Sequence, residues 1–253
     1  DSLLLTKLNR PRLSAEVVNR PRLLNQLQSP STLTLVVAPA GYGKTTLVNS
    51  WLETSPLPSA WLTLDGSDND FANFVNYLIA AIQTCFPMIG DRTASLFKVT
   101  SSPSVASVSK TLLNELSAIE QDFIIVLDDY HLVHNSTNHE LVTDLLHHPP
   151  RSFHLVLAAR HDPPIPLPAL RARGLVTELR ASDLRFTLDE TAFFFHDILH
   201  FDLVEQDIVT LANKTEGWPV SLRLAAIYFR HSGSSTLIGA NQGGDNRYLV
   251  DYL

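Results

Sequence analysis

Cysteine is nearly missing: the 253-residue chain holds one, Cys85, so no internal disulfide can form and stability does not depend on an oxidising compartment. No apolar run reaches the roughly 18 to 20 residues that a membrane-spanning helix needs. The segment Asp1–Arg10 lacks a basic region followed by a long apolar stretch, so no secretory signal is visible and a cytoplasmic protein is expected. Positive charge is also in deficit, with 19 Lys and Arg against 26 Asp and Glu and a net charge of -7. That balance argues against a general binder of nucleic acids or anionic membranes. Zinc chemistry finds no support: His131, His134, His139 and the pair His147–His148 form no H-E-x-x-H pattern and have no cysteine partners. A nucleophile elbow of the Gly-x-Ser-x-Gly type is absent, and so is any internal repeat. What remains is a globular composition, 45% hydrophobic and 18% charged, long enough for one large domain or two small ones.

Short apolar runs punctuate the chain. Leu33–Val37, Ala60–Leu64, Phe123–Leu127 and Phe153–Ala158 read as strands, because each is short, rich in β-branched or aromatic residues, and bounded by turn residues. Between them lie helical patterns: Leu23, Leu24 and Leu27 after Pro21, Lys44 to about Glu53, Phe71–Phe86, a segment near Val108–Ile119 after a Ser-rich loop Thr100–Ser109, and the region of Leu141, Leu145 and Leu146. Strands apolar throughout and alternating with helices predict a parallel sheet covered on both faces. Beyond about residue 181 only helices are expected, near 188–199, 204–215 and 219–230, the first opened by a capping box of Thr187 and Glu190. The Gly-, Ser- and Asn-rich stretch Ser232–Asn246 reads as a flexible connection, and Tyr248–Leu253 as the start of another helix.

The sharpest motif is Ala38-Pro39-Ala40-Gly41-Tyr42-Gly43-Lys44-Thr45-Thr46, placed after a predicted strand and opening a predicted helix. Apart from Ala38 in the first glycine position it matches the phosphate-binding P-loop, G-x-x-x-x-G-K-[ST]. Gly41 and Gly43 let successive backbone N–H groups turn toward a β-phosphate, and the helix N-terminus adds partial positive charge at the same spot. Lys44 would neutralise the β- and γ-oxygens, and the Thr45 hydroxyl would ligate Mg2+. Asp128 ends an apolar strand, which places its carboxylate at the C-terminal sheet edge where ligands bind in open α/β folds; it is the candidate to hold Mg2+, through water. Asp129 is the candidate to orient or deprotonate an attacking water, the alternative being a second strand-end carboxylate with no such duty. Arg160, just past the next strand, either reaches the γ-phosphate or pairs with Asp162 at the surface. The strand Ala60–Leu64 is expected to lie between the P-loop strand and the Asp128 strand. No guanine-recognition motif is present, so ATP/ADP is favoured over GTP.

Three other features have competing readings. His131 and His134 fall on the loop after Asp129, near the expected nucleotide. The cluster Leu170–Gly174 is basic and reads as solvated surface or a contact for DNA or a partner. Gly217-Trp218-Pro219 either begins a helix with a proline at its first position or wedges a rigid Trp-Pro pair against the nucleotide.

Taken together the motifs resemble the ATPase module of large MalT-like, LuxR-type transcriptional activators of the STAND class of signal-transduction ATPases. The resemblance is carried by Lys7–Arg12, Val18–Leu24, Pro39–Leu47, Trp61–Asp65 with Asp68–Asp70, Leu127–His131, Leu170–Gly174, Asp183–Phe186 and Glu216–Pro219, which cover nearly the whole chain. It implies a P-loop nucleotide-binding domain over 1–180, a helical domain over 181–231, and a linker with the start of a winged-helix domain over 232–253. It implies further that Val18, Asn19 and Arg20 flank the adenine, that Pro219 touches the nucleotide from the helical domain, and that Arg160 occupies a sensor position, where Ala159 departs from the expected small hydroxyl residue. Nucleotide contacts are thus expected from Ala40, Gly41, Tyr42, Gly43, Lys44, Thr45 and Thr46 as well. Members of that family rest as ADP-bound monomers; an inducer and ATP drive self-association, and a C-terminal helix-turn-helix binds DNA. The present chain would then be a switch with slow Mg2+-dependent ATP hydrolysis and no DNA contact of its own. The alternatives are a scaffold that binds nucleotide without hydrolysing it, and the ATPase module of a non-transcriptional effector.

Overall fold

A computed structural model describes residues 3–28, 31–100 and 102–232. Five strands, β1 (Leu33–Val37), β2 (Ser59–Thr63), β3 (Phe123–Asp128), β4 (Phe153–Ala159) and β5 (Val176–Arg180), form one parallel sheet in the order β2-β3-β4-β1-β5. The registers Leu35↔Leu157, Ile125↔Leu155 and Leu62↔Leu127 align the strands, so that all C-terminal ends open on the same edge.

Side chains of β1 and β3 alternate between two cores, as the period of a strand requires. Leu33, Leu35, Phe123, Ile125 and Leu127 enter the larger core, beneath α3 (Phe71–Gln83), α4 (Asp91–Val99), α5 (Val105–Leu116) and α6 (Ser136–His147). Val36, Ile124 and Val126 enter the other, against α1 (Pro21–Leu27) and α2 (Lys44–Thr54), which also holds Trp51 and Trp61. Both faces of the sheet are therefore dry, which explains why the central strands read as unbroken apolar runs. Each fully buried Leu or Phe contributes roughly 1.5–3 kcal/mol by leaving water. Side-chain caps set several helix starts: Asp70 accepts from the Asn73 N–H, Asn135 from Thr137 N–H, and Ser104 from Ser107 N–H.

After the sheet the chain runs through α8 (Ala181–Leu184), α9 (Leu188–Phe193), α10 (Glu205–Thr215) and α11 (Pro219–Ser232). α9 starts on the capping box of Thr187 and Glu190 and continues as a π-helical turn over Phe194–Ile198. Phe194, Phe195, Leu211, Leu222 and Phe229 pack into a third core of their own. Val18 joins that core from an N-terminal strap, residues 3–20, which has no regular structure beyond a 3-10 turn at Leu5–Leu8.

Three differences from the sequence reading matter. The strand inserted between the P-loop strand β1 and the Asp128 strand β3 is β4; β2, expected there, lies at the sheet edge beyond β3. Chain order does not carry lateral order, and only crossover geometry decides it. Strand β5 and helices α4 and α7 (Leu167–Ala172) were not anticipated. Helix α5 begins at Val105, because Ser104 supplies its cap, so the expected loop to Ser109 is shorter. The expected linker and third domain, 232–253, lie outside the described residues except for Ser232, the last residue of α11.

Candidate nucleotide site

The P-loop turns from β1 into α2 with Gly41 at φ 78° and Gly43 at φ 76°, left-handed conformations that a side chain resists. A Cβ on Gly43 would meet nothing within 4 Å, so the loop encloses open space. At Gly41 a Cβ would lie 2.6 Å from Val220 Cγ1, so the start of α11 sits directly on the loop. Two hydrogen bonds seal that seam: the Val220 N–H donates to the Gly41 carbonyl at 3.2 Å, and Trp218 Nε1 donates to the Ala40 carbonyl at 3.2 Å. The rings of Tyr42 and Trp218 stand 6.1 Å apart across it.

Lys44 is buried and donates to the Pro39 carbonyl at 3.0 Å. Burial lowers its pKa, and the nearby Asp129 and Asp128 oppose that shift while Arg160 adds to it. The Thr45 hydroxyl donates to Asp128 Oδ2 at 2.9 Å, so the two groups expected to serve Mg2+ already touch. Asp128 is 2% exposed, and burial pushes its carboxyl up to about 6, against the pull of the Thr45 hydrogen bond. A hydroxyl and a carboxylate side by side are hard oxygen donors that suit Mg2+. No cluster of three or more His, Cys, Asp or Glu side chains able to hold a metal occurs among the described residues, so phosphate and water oxygens would have to complete the shell.

Asp129 follows in a left-handed conformation, φ 55°, with its side chain 40% exposed. Asp129 Oδ1 lies 3.8 Å from His131 Nδ1. The His131 ring is buried, and neither of its nitrogens has a hydrogen-bond partner among the described residues. Burial lowers its pKa, with Asp129 opposing. His134 has only its backbone engaged, by Asn69. Arg160 leaves the end of β4, next to the P-loop strand, and is exposed without an ion pair among the described residues. Asp162, its possible surface partner, instead pairs with Arg180 and, at 4.0 Å, with Arg171.

Beside the P-loop lies a cavity of about 390 Å³. Gly41, Tyr42, Gly43, Thr45 and Thr46 form one wall. The strap forms a second, through Pro11–Ser14 and Glu16–Val18 with Arg20, and the helical segment a third, through Phe186, Phe194, Pro219, Val220 and Arg223. Val18, Arg20 and Pro219 line this cavity, while Ala40, Asn19 and Lys44 do not. The Arg20 guanidinium is committed elsewhere: it binds Glu190 at 3.1 Å and the Leu184 and Arg185 carbonyls, and it sits 5.0 Å above the Phe186 ring. It therefore ties the strap to the helical segment. Glu16 repeats the connection, pairing with Arg223 at 2.8 Å and Arg230 at 3.2 Å on α11. Phe194, Arg223 and the strap residues Leu13, Ser14, Glu16 and Val17 lie outside every motif segment read in the sequence. In the basic cluster Leu170–Gly174, Arg171 pairs with Glu178 on β5, which also pairs with Arg180.

The sheet order, with one strand between the P-loop strand and the acidic strand, and the Thr45–Asp128 contact define a P-loop NTPase fold. Nearly the whole chain matches a segment of MalT-type regulators. It is 37% identical over 257 residues to the HTH-type transcriptional regulator MalT of Serratia proteamaculans (strain 568), covering 98% of this chain and 28% of that protein. MalT of Vibrio parahaemolyticus serotype O3:K6 is 33% identical over 253 residues, with the same coverage, 98% and 28%. The chain thus spans 28% of the length of these curated relatives. Among solved structures, a STAND protein with a tetratricopeptide repeat sensor from Pyrococcus horikoshii superposes with a TM-score of 0.64 at 14% identity, over 97% of this chain and 33% of that one. Cdc6p of Pyrobaculum aerophilum gives a TM-score of 0.51 at 16% identity, over 85% of this chain and 62% of that one. No family model matches the chain. Among the described residues no helix is long and apolar enough to cross a membrane.

Proposed function

We propose that this chain is the ATP/ADP-binding switch module of a STAND-type transcriptional regulator that works in the cytoplasm and hydrolyses ATP slowly. One observation carries the reading: a single cavity is walled by the P-loop, the strap and α11, with α11 hydrogen-bonded to the loop itself. A ligand filling that cavity would touch all three, and its free energy of binding would favour the closed arrangement only by the difference in its affinity for closed and open forms.

In this reading the amides of Gly41–Thr46 cradle two phosphates, Lys44 turns from the Pro39 carbonyl to the terminal oxygens, and Val18 and Pro219 flank the base end. Thr45 and Asp128 would hold Mg2+, which when bound supplies charge neutralisation on the β- and γ-phosphates. Asp129 orients a water and takes up its proton, with His131 beside it in a desolvated position. Arg160 approaches from β4 and meets the charge of the γ-phosphate, the group that distinguishes ATP from ADP. The inducer, self-association in the ATP form and DNA binding would belong to the longer protein.

The test is single-turnover phosphate release from Mg·ATP by the chain and by Asp129→Asn. Release that depends on Asp129 supports the switch; equal background release from both would leave a scaffold that binds but does not hydrolyse. Denaturing the purified chain and identifying the released nucleotide tests the ligand: absence of any measurable adenine nucleotide binding would sink the reading.

A further inference from the structure

We propose that Asn69 is a positioning residue for hydrolysis, holding the turn that presents Asp129 and His131. The proposal rests on the hydrolytic reading of Asp129 given above, and it concerns a residue on a loop that forms no part of the cavity wall.

The β2–α3 loop is rigid before Asn69 is considered. Asp65 accepts from the Ser67 N–H at 2.8 Å, and Asp68 accepts from the Asp65 N–H at 2.8 Å. Asp68 is wholly buried, paired with the buried Lys7 of the strap, whose ammonium also sits 4.2 Å from the centre of the Tyr77 ring. Across the loop the Asp68 carbonyl accepts from the buried Asn138 amide at 2.7 Å, which anchors it to α6. Severing a buried pair such as Lys7–Asp68 is costly, so this platform does not move freely.

From that platform Asn69 reaches the segment that follows Asp129. Its Oδ1 accepts from the His134 N–H at 2.6 Å and the Asn135 N–H at 3.1 Å. Its Nδ2 donates to the Leu132 carbonyl at 2.9 Å and the Gly66 carbonyl at 3.1 Å. Its own carbonyl accepts from Asn135 Nδ2 at 2.7 Å. The amide has two N–H groups on its oxygen side and two carbonyls on its nitrogen side, so only one orientation satisfies it, and no other residue type offers that set at that length. The turn it grips is short and strained: Asp129 is left-handed, the Leu132 N–H closes on the Asp129 carbonyl at 3.0 Å, and the His131 ring makes no hydrogen bond among the described residues that could hold it in place. Among the described residues, the side chains that anchor this turn include Asn69, Asp128 through the Asp129 N–H, and the Tyr130 hydroxyl, which bonds His139 Nδ1 at 2.8 Å. Loss of Asn69 would leave the P-loop and cavity intact while the Asp129 carboxylate drifts from the position that addresses the water.

The experiment compares the chain, Asn69→Ala, Asn69→Asp and Asp129→Asn, each followed by single-turnover hydrolysis of Mg·ATP and by titration with a fluorescent ATP analogue. Asn69→Asp keeps size and the accepting oxygen but sets a carboxylate oxygen against the Leu132 carbonyl. Cleavage should slow on the order of 10- to 100-fold in both Asn69 variants while nucleotide affinity stays within about twofold, the separation expected when geometry is lost and binding is not. Overturning results are an undiminished rate in either folded variant, a loss of rate matched by an equal loss of affinity, or failure of both variants to fold, which would make Asn69 a folding residue. Fast Asn69 variants beside a slow Asp129→Asn overturn this proposal alone; an unaltered chain no faster than Asp129→Asn overturns the hydrolytic reading and this proposal with it.

Discussion

Replacing Asp128 by Asn should make the ligand-free protein more stable while destroying its response to magnesium. The carboxyl is 2% exposed, and its pKa is pushed from 3.8 to about 6 because burial disfavours the charged form. An acid whose pKa is raised by folding holds its proton more tightly in the native state. Stability therefore falls as pH rises from 3.8 toward 6, and the whole penalty persists above that range. The rise corresponds to roughly 3 kcal/mol at pH 8. Asparagine keeps Oδ1, the oxygen that now accepts from the Thr45 hydroxyl at 3.1 Å and from the Asp129 N–H at 3.0 Å, so little is lost on the other side.

At pH 8, in metal-free buffer without nucleotide, Asp128→Asn should melt higher by up to roughly 6–12 °C, given about 2–4 °C per kcal/mol for a protein of this size. The advantage should shrink toward nothing as the pH is brought down to about 4, where the native carboxyl is already protonated. Adding Mg·ATP at about 100 times its dissociation constant should stabilise the unaltered chain by about 2.7 kcal/mol, and the variant by much less. Thermal scans across pH, with and without Mg·ATP, read all three effects. A variant that is less stable than the parent at pH 8, or whose difference does not depend on pH, would refute the claim that a desolvated charge waits here for a cation.

Three further outcomes follow from the same geometry. Lys44→Ala should abolish binding of a fluorescent ATP analogue; retention of near-parental affinity would count against the phosphate cradle. Gly41→Ala must fit a Cβ 2.6 Å from Val220 Cγ1 at a φ of +78°, so α11 should be driven off the loop and ADP should leave about tenfold faster, a loss of about 1.4 kcal/mol; an unchanged off-rate in stopped-flow chase would dismiss the seam. Glu190→Gln should cost about 2–4 kcal/mol in urea denaturation at neutral pH, because it leaves the buried Arg20 guanidinium without its counter-charge. The hydrogen bonds from Arg22 and Arg20 outweigh burial and hold the Glu190 pKa below its ordinary 4.5, so this contribution is present above 4.5 and is lost as pH falls through the native value; a pH-independent difference would argue against an ion pair.

The parts of the fold that could be read from residues alone are those whose reasons are local. β1, β3 and β4 are buried on both faces, and therefore appear as apolar runs; α2 announces itself by the glycines and lysine that open it. β5 did not, because Thr177, Glu178 and Arg180 break its apolar pattern: it is an edge strand, half-buried, with Glu178 and Arg180 joined in ion pairs. α4 escaped for a related reason. Its first turn is capped from a distance by the buried Glu115 of α5, which accepts from the N–H groups of Gly90, Arg92 and Thr93, a partnership no neighbouring residue reveals. The side-by-side order of strands belongs to the same class of facts, which is why β4 and not β2 stands between the two motif strands.

The site divides along the same line, and the division bears on how the module would switch. The meeting of Thr45 and Asp128 was legible, because one sits in the P-loop pattern that opens α2 and the other ends an apolar strand, and the fold brings the two into contact. The remaining walls come from segments with no chemistry of their own to advertise. The strap has no strand or helix to signal its course; it is held by Lys7 on Asp68, Arg10 on Ser59, the Pro11 carbonyl on Asn49, and Glu16 on Arg223 and Arg230. Arg20, expected beside the base, spends its guanidinium on Glu190 and on the carbonyls of Asp183, Leu184 and Arg185. These contacts are of two kinds. Of those from the strap to the elements of the sheet, Lys7–Asp68 is buried and the contacts of Arg10 and Pro11 are partly buried, whereas Glu16 meets Arg223 and Arg230 at the surface, where such a pair is worth only about 0.2–1 kcal/mol. Under the proposed switch, an opening would leave the strap with the sheet at its N-terminal end and part it from α11 first, at Glu16. Arg20, desolvated and paired with Glu190, would remain as the pivot between them.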